Sequence, residues 1–291
     1  MTHDSTSALR SLPIHVEDSG GAGPPLVFLH GYGANRATWR PWLPALRARH
    51  RCITVDLQGF GEAPIPNDAG WTLWDLARPI GQLIDALDLR DVTLVGHSMG
   101  GGVALIAALE LLQRARQGDP SRLAALVSVA GIAYRQKLPP FVRASRWPRL
   151  AEWALRLAPK ERLVRAIYHD VVVRPEAVRP ESIEAMARPL RRPGAPRALI
   201  RIARELDRAS VHELVGRIPE IDVPVLCLWG AGDRVVPPAV GRRLAAEVAN
   251  GRYVELERCG HLVSEECPTK SLAVLTDFIG DVLGRGAEIE A

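Results

Sequence analysis

At 291 residues the chain has room for one large α/β domain with an insertion, or for two small domains. A hydrophobic content of 47% with 24% charged residues fits a globular chain and excludes a disordered or fibrous one. The formal charge of +4 comes with no nucleic-acid motif, and all but three of the 37 basic residues are arginine, a compositional bias that requires no polyanionic partner. Residues 12–17 suggest a short edge strand, followed by a glycine- and proline-rich turn from Ser19 to Pro25. Leu26 to Leu29 is a continuous apolar run, as in a strand buried on both faces, and it ends in His30-Gly31-Tyr32-Gly33. Trp39 to Ala48 has helical spacing, Arg51 to Leu57 is the next strand, and Thr72 is a candidate N-cap for a helix with Leu73, Leu76, Ile80, Leu83, Ile84 and Leu87 on one face. A strand ending at Gly96, a helix from Gly102 and a strand from Leu123 to Val129 follow. That alternation predicts a mostly parallel sheet flanked by helices.

From Gly131 to about Arg217 the alternation stops. The spacing predicts helices near 140–157, 160–172, 180–190 and 196–208, separated by Pro159, Arg174-Pro175 and Arg192-Pro193-Gly194. The sheet pattern resumes with Val223 to Trp229, a helix near 237–249, a strand from Gly251 to Leu256 and a last helix near 268–283. The expected organisation is a core domain of residues 1–131 and 218–291, with a helical lid of residues 132–217 inserted into it. Met1 to Pro13 lacks the basic-then-apolar pattern of a signal peptide, and the longest apolar run, Val103 to Leu109, is far below the ~20 residues of a membrane span. A cytoplasmic protein acting on a small molecule is therefore expected, with no nucleic-acid or membrane partner. Cys52, Cys227, Cys259 and Cys267 show no metal-type spacing and read as reduced thiols; no metal and no cofactor is expected.

The chemistry concentrates where the run Asp91 to Gly96 meets the helix after Gly102. Ser98 lies there with glycine two positions before and two after, a Gly-x-Ser-x-Gly pattern at a strand-to-helix junction. A serine hydroxyl is a poor nucleophile until a base takes its proton, and the base works best when a third group fixes its tautomer. In an open sheet both partners should follow the serine, at later strand ends. Asp233 closes Gly230-Ala231-Gly232-Asp233 after one late strand, and His261 closes Cys259-Gly260-His261 after the next. Taken singly, Asp233 is as well explained as a helix cap and His261 as a loop histidine; their joint order and placement favour a triad of Ser98, His261 and Asp233. His30 and His97 flank the site but read as loop-packing residues, and Asp56 as the organiser of its glycine-rich loop.

These motifs resemble those of the α/β-hydrolase superfamily, from about residue 12 to 283. The resemblance is carried by His30-Gly31-Tyr32-Gly33, by Asp56-Leu57-Gln58-Gly59-Phe60-Gly61 and by Gly96-His97-Ser98-Met99-Gly100-Gly101. Gly230 to Asp233, with Pro237, and Gly260-His261, with Glu266 and Pro268, complete it. It implies an α/β-hydrolase fold with a mostly parallel eight-stranded sheet, a Ser98–His261–Asp233 triad and oxyanion donors at the backbone N–H of Met99 and of Tyr32, with Gly33 the alternative to Tyr32. It implies hydrolysis of a small-molecule carboxylic ester through an acyl-enzyme. The same elbow also serves C–C hydrolysis of vinylogous diketo acids, though His97 stands where those enzymes commonly carry asparagine. Thioester hydrolysis, acyl transfer and a ligand-binding role remain alternatives. Phe141, Trp147, Trp153 and Tyr168 are the candidates for an apolar pocket lining under the lid, with Leu150 and Leu157 beside them.

Overall fold

The computed structural model describes residues 9–135, 137, 139–207 and 211–289. Seven strands form one sheet: β1 (His15–Asp18), β2 (Pro25–Leu29), β3 (Arg51–Asp56), β4 (Val92–His97), β5 (Leu123–Val129), β6 (Pro224–Gly230) and β7 (Asn250–Leu256). Their spatial order is β1-β3-β2-β4-β5-β6-β7, with β1 antiparallel to β3 and every other pair parallel. Parallel neighbours need crossover helices on the faces, which is why β2 and β4 are buried at every position and read as unbroken apolar runs. The expected count of eight strands is corrected to seven among the described residues. Only seven runs have strand character, and Leu9 to Ser11, ahead of β1, is helical rather than a further edge strand.

The chain goes from β2 outward to β3 and then returns past β2 to β4. That reversal opens a crevice beyond the C-terminal ends of β2 and β4, where open parallel sheets bind ligands. The helices are α1 (Leu43–Leu46), α2 (Leu73–Ala86) and α3 (Met99–Arg116), then six between β5 and β6. Those six are α4 (Pro140–Arg143), α5 (Pro148–Leu157), α6 (Lys160–Val171), α7 (Pro180–Ala187), α8 (Ala195–Asp207) and α9 (Val211–Val215). α10 (Pro238–Glu247), α11 (Val263–Glu266) and α12 (Pro268–Ile289) complete the fold. Thr72 does cap α2, in a reciprocal box with Asp75 that satisfies two backbone donors. α3 is buried along its first eleven residues between the sheet and α2.

The helix expected over 140–157 is two helices. A 3-10 turn at Ala144–Arg146 separates them, and Pro148 opens α5 as its first residue, since proline has no N–H to continue a preceding turn. Likewise α7 stops at Ala187 rather than 190: Arg188 keeps helical backbone, but Pro189 has no N–H to donate to Ala185 O, and the chain continues as a 3-10 turn over Pro189–Arg191. A small second core of Val164, Tyr168, Ile183, Met186 and Ala187 packs the inserted helices together and against Ala34, Ala37 and Leu262. All four cysteines are free and buried.

Candidate active site

Ser98 sits between β4 and α3 with φ 53° and ψ −118°, a left-handed conformation that costs a non-glycine residue about 1–3 kcal/mol. The surrounding backbone holds it there. Ser98 N–H donates to Val129 O at 3.0 Å, and Ser98 O accepts from Gly101 N–H at 2.9 Å and from Ile132 N–H at 3.0 Å. The turn is so tight that a Cβ on Gly96 would lie 2.3 Å from Gly100 O, and one on Gly100 would lie 2.3 Å from Leu29 O. Glycine two before and two after the serine is thus a packing requirement of this turn.

Asp233 follows β6 and His261 follows β7, and the two side chains meet. His261 Nδ1 is 2.8 Å from Asp233 Oδ2, with the carboxylate fully buried. An ionised carboxylate only accepts, so Nδ1 carries the proton and Nε2 keeps its lone pair. Asp233 Oδ1 meanwhile accepts from Val235 N–H at 2.8 Å and Val236 N–H at 2.9 Å. Asp233 thus orients the histidine and closes a local turn, but it does not cap the following helix, which begins only at Pro238 with no side-chain cap.

Glu266, quoted in the sequence only as part of a motif, holds the histidine loop. Its carboxylate is almost completely buried and accepts from Gly260 N–H at 3.0 Å and Leu262 N–H at 3.2 Å, the two neighbours of His261. It also takes Val173 N–H at 2.9 Å from the inserted segment, while His261 N–H donates to Val171 O at 2.9 Å. The signal that could have found it is a carboxylate directly before Cys267-Pro268, where a loop must be tied to the first turn of a helix.

His97 and His30 are both fully buried. His97 Nε2 donates to His261 O at 3.0 Å, and burial, with His261 nearby, pushes its pKa down to about 3. His30 donates from Nδ1 to Gly31 O at 2.8 Å and accepts Leu57 N–H on Nε2 at 3.0 Å; burial lowers its pKa as well. Both serve loops as neutral rings. Asp56 accepts from Arg36 N–H and Glu62 N–H and pairs with the Arg36 guanidinium, which orders its glycine-rich loop.

Ser98, His261, Met99, Gly31 and Tyr32 line one cavity of about 850 Å3, mostly apolar and roofed by the inserted helices. That size suits a small-molecule site. Tyr168 lies in its wall and donates from Oη to Glu265 Oε1 at 3.1 Å; burial raises the pKa of that carboxyl. Trp147 and Trp153 are corrected: they are 66% and 62% exposed and do not line the cavity, nor do Leu150 and Leu157. With 3.6 residues per turn, the arc of α5 that faces the cavity is instead Ala151, Ala154 and Leu155, continued by Ala158. The side chain of Phe141 lies outside the described residues. Arg135, Lys137, Arg143 and Arg146 lie at the cavity's edge. A second, more polar cleft near Arg36 and Arg188 contains neither Ser98 nor His261. Among the described residues no group of three or more His, Cys, Asp or Glu side chains is arranged to hold a metal ion.

A parallel sheet with a strained serine at its central strand end, and helices inserted after β5, is the architecture of an α/β hydrolase. The family model described as alpha/beta hydrolase fold matches residues 24–268, and the chain belongs to that family. It is similar to the pimeloyl-(acyl-carrier protein) methyl ester esterase of Aeromonas hydrophila, 28% identical over 267 residues that cover 89% of this chain and 97% of that protein. It is also similar to the 2-hydroxy-6-oxononadienedioate/2-hydroxy-6-oxononatrienedioate hydrolase of Cupriavidus pinatubonensis, 27% identical over 280 residues, 92% of this chain and 91% of that one. The meta-cleavage product hydrolase from Pseudomonas fluorescens IP01 has the same fold, with a TM-score of 0.77 at 21% identity over 92% of this chain and 94% of that one. Family and relatives together make hydrolysis the reaction class.

Proposed function

We propose that the protein is a serine hydrolase that cleaves a small-molecule carboxylic ester through an acyl-enzyme on Ser98. The observation that carries this reading is the 2.8 Å Asp233–His261 contact, which leaves His261 Nε2 basic in the cavity that contains Ser98. In the first half-reaction Ser98 Oγ bonds to the substrate carbonyl carbon as His261 Nε2 takes its proton. The oxyanion rests on the backbone N–H of Met99, in the first turn of α3, and on that of Tyr32, each worth about 3 kcal/mol in the transition state. The C–O bond then breaks, and the alcohol leaves with the proton from His261. Water attacks the acyl group by the same route, which returns Ser98 to its hydroxyl form. His97 supports the cycle by staying neutral: its ring centroid is 4.8 Å from that of His261, so a second positive charge would oppose the transient imidazolium. The inserted helices act as the lid of the site, and their apolar wall with Tyr168 favours an apolar acyl or alcohol group.

The methyl ester esterase relative supports an ester substrate, and the oxononadienedioate hydrolase relative makes C–C hydrolysis the reading to test beside it. The experiment is a side-by-side assay of short-chain p-nitrophenyl esters, thioesters and diketo acids with wild type and Ser98→Ala. Ester turnover that the alanine variant loses is the expected result. Turnover that survives in Ser98→Ala removes the mechanism, and turnover of diketo acids alone replaces the ester by a C–C bond.

A further inference from the structure

Six large hydrophobic side chains are strongly exposed among the described residues, and four of them fall within eleven positions: Trp147, Leu150, Trp153 and Leu157, each more than 60% exposed. They stand at the head of α5 and along it, a helix with no buried residue at all. At 100° per residue Leu150, Trp153 and Leu157 occupy one arc of roughly 60°, and Trp147 stands just ahead of the first helical residue. Arg149, Glu152 and Arg156 fill a second arc. The alanines at 151, 154 and 158, with Leu155, fill the third, which faces the catalytic cavity. One helix therefore turns an apolar face to the outside and another to the site.

The charge around the outer face has one sign. Between positions 143 and 160 lie Arg143, Arg146, Arg149, Arg156 and Lys160 against a single carboxylate, Glu152, which is paired to Arg156 at 2.6 Å. Arg143, Arg146 and Arg149 are exposed at the Trp147 end. We infer that α5 seats the protein on an anionic lipid bilayer, with Trp147, Leu150, Trp153 and Leu157 in the headgroup and upper acyl region, so that the cavity beneath receives lipophilic esters from the membrane.

Two considerations favour this occupant over a second copy of the chain. Bringing two such helices together would oppose like charges, whereas an anionic surface complements them. Four side chains this exposed also present on the order of 500 Å2, below the ~800 Å2 per partner of a stable interface, yet ample for a peripheral helix. Two tryptophans in the stripe fit a headgroup boundary, where an apolar ring with one polar N–H is at home. No membrane partner was expected from the sequence because no segment could span. An interfacial helix needs no span, and no helix among the described residues is long and apolar enough to cross a membrane.

Docking does not depend on the serine chemistry; the claim about substrate rests on the ester reading above. The test mixes the full-length protein with phosphatidylcholine vesicles, with and without phosphatidylglycerol, and measures sedimentation and tryptophan emission. Binding to the phosphatidylglycerol vesicles, with a blue shift and weakening by salt, is expected for wild type and for Ser98→Ala alike. Trp147→Ser and Trp153→Ser should each weaken it about tenfold. Both should leave the melting temperature and the hydrolysis of water-soluble p-nitrophenyl acetate unchanged, while hydrolysis of a long-chain ester presented in vesicles falls with binding. Arg143→Glu with Arg149→Glu should remove the preference for anionic lipid. Wild type that remains in the supernatant overturns the proposal, as does a dimer in sedimentation velocity that the tryptophan variants convert to monomer. Binding without any gain on the vesicle-borne ester overturns its substrate half. Vesicle binding with no ester turnover of any kind sinks the ester reading and leaves the docking intact.

Discussion

The two walls of the cavity are built to different tolerances. On the sheet side, atoms are held by backbone: Ser98 by three main-chain hydrogen bonds, His261 by Asp233 and by the loop that Glu266 ties down. On the helical side, the inserted segment meets the cavity through small and aliphatic residues of several helices, among them Ala154, Leu155, Leu163, Ile167 and Leu199, with Tyr168, and turns four large apolar side chains of one stretch to the outside. Reaction geometry demands sub-ångström placement, which hydrogen-bonded strand ends supply. A substrate-admitting surface demands only an apolar lining, which many sequences satisfy. The difference teaches where to look for mechanism and where for specificity.

That contrast can be broken or sharpened by substitution. The largest effect is expected from Asp233→Asn, which leaves the fold in place but lets the amide donate to His261 Nδ1 and so imposes the wrong tautomer. The expected fall in kcat is about 10^4-fold, read by steady-state ester hydrolysis. Next is Glu266→Gln, a positioning change that puts an amide in place of a carboxylate that accepts from the N–H groups of Gly260, Leu262, Val173 and Arg174. It should lower kcat about a hundredfold with KM little altered, and lower stability by about 2 kcal/mol in a urea titration. An unchanged kcat would mean that the loop is held by something other than Glu266. The smallest effect at neutral pH is expected from His97→Asn, whose amide can still donate to His261 O. In the folded protein the pKa of His97 is depressed from 6.5 to about 3, so below pH 6.5 the unfolded chain takes up a proton that the folded one refuses. Its contribution to stability is present above 6.5 and is lost as pH falls toward 3. The variant should therefore melt less steeply with acidification over that window, by up to about 1.4 kcal/mol per pH unit.

The strands of the sheet were legible because each is an apolar run cut off by glycine or a charged residue, and Ser98, Asp233 and His261 because they occupy three such ends in order. The lining of the cavity was not. Trp147 and Trp153 were expected to point inward on hydrophobicity alone, but α5 turns its small residues Ala151, Ala154 and Ala158 to the cavity and leaves the bulky ones outside, a rotation that composition does not encode. Glu266 was visible and went unassigned, since a buried carboxylate that accepts several N–H groups leaves no periodic trace. The strand count was one too high because eight came from the family resemblance, whereas only seven runs among the described residues have strand character.

The most direct test of the account is covalent. Wild type treated with a fluorophosphonate, digested and analysed by mass spectrometry, should carry a single stoichiometric adduct on the peptide containing Ser98, absent from Ser98→Ala and formed far more slowly in Asp233→Asn. An adduct on another residue, or none while ester hydrolysis proceeds, would contradict the assignment of Ser98 as the nucleophile.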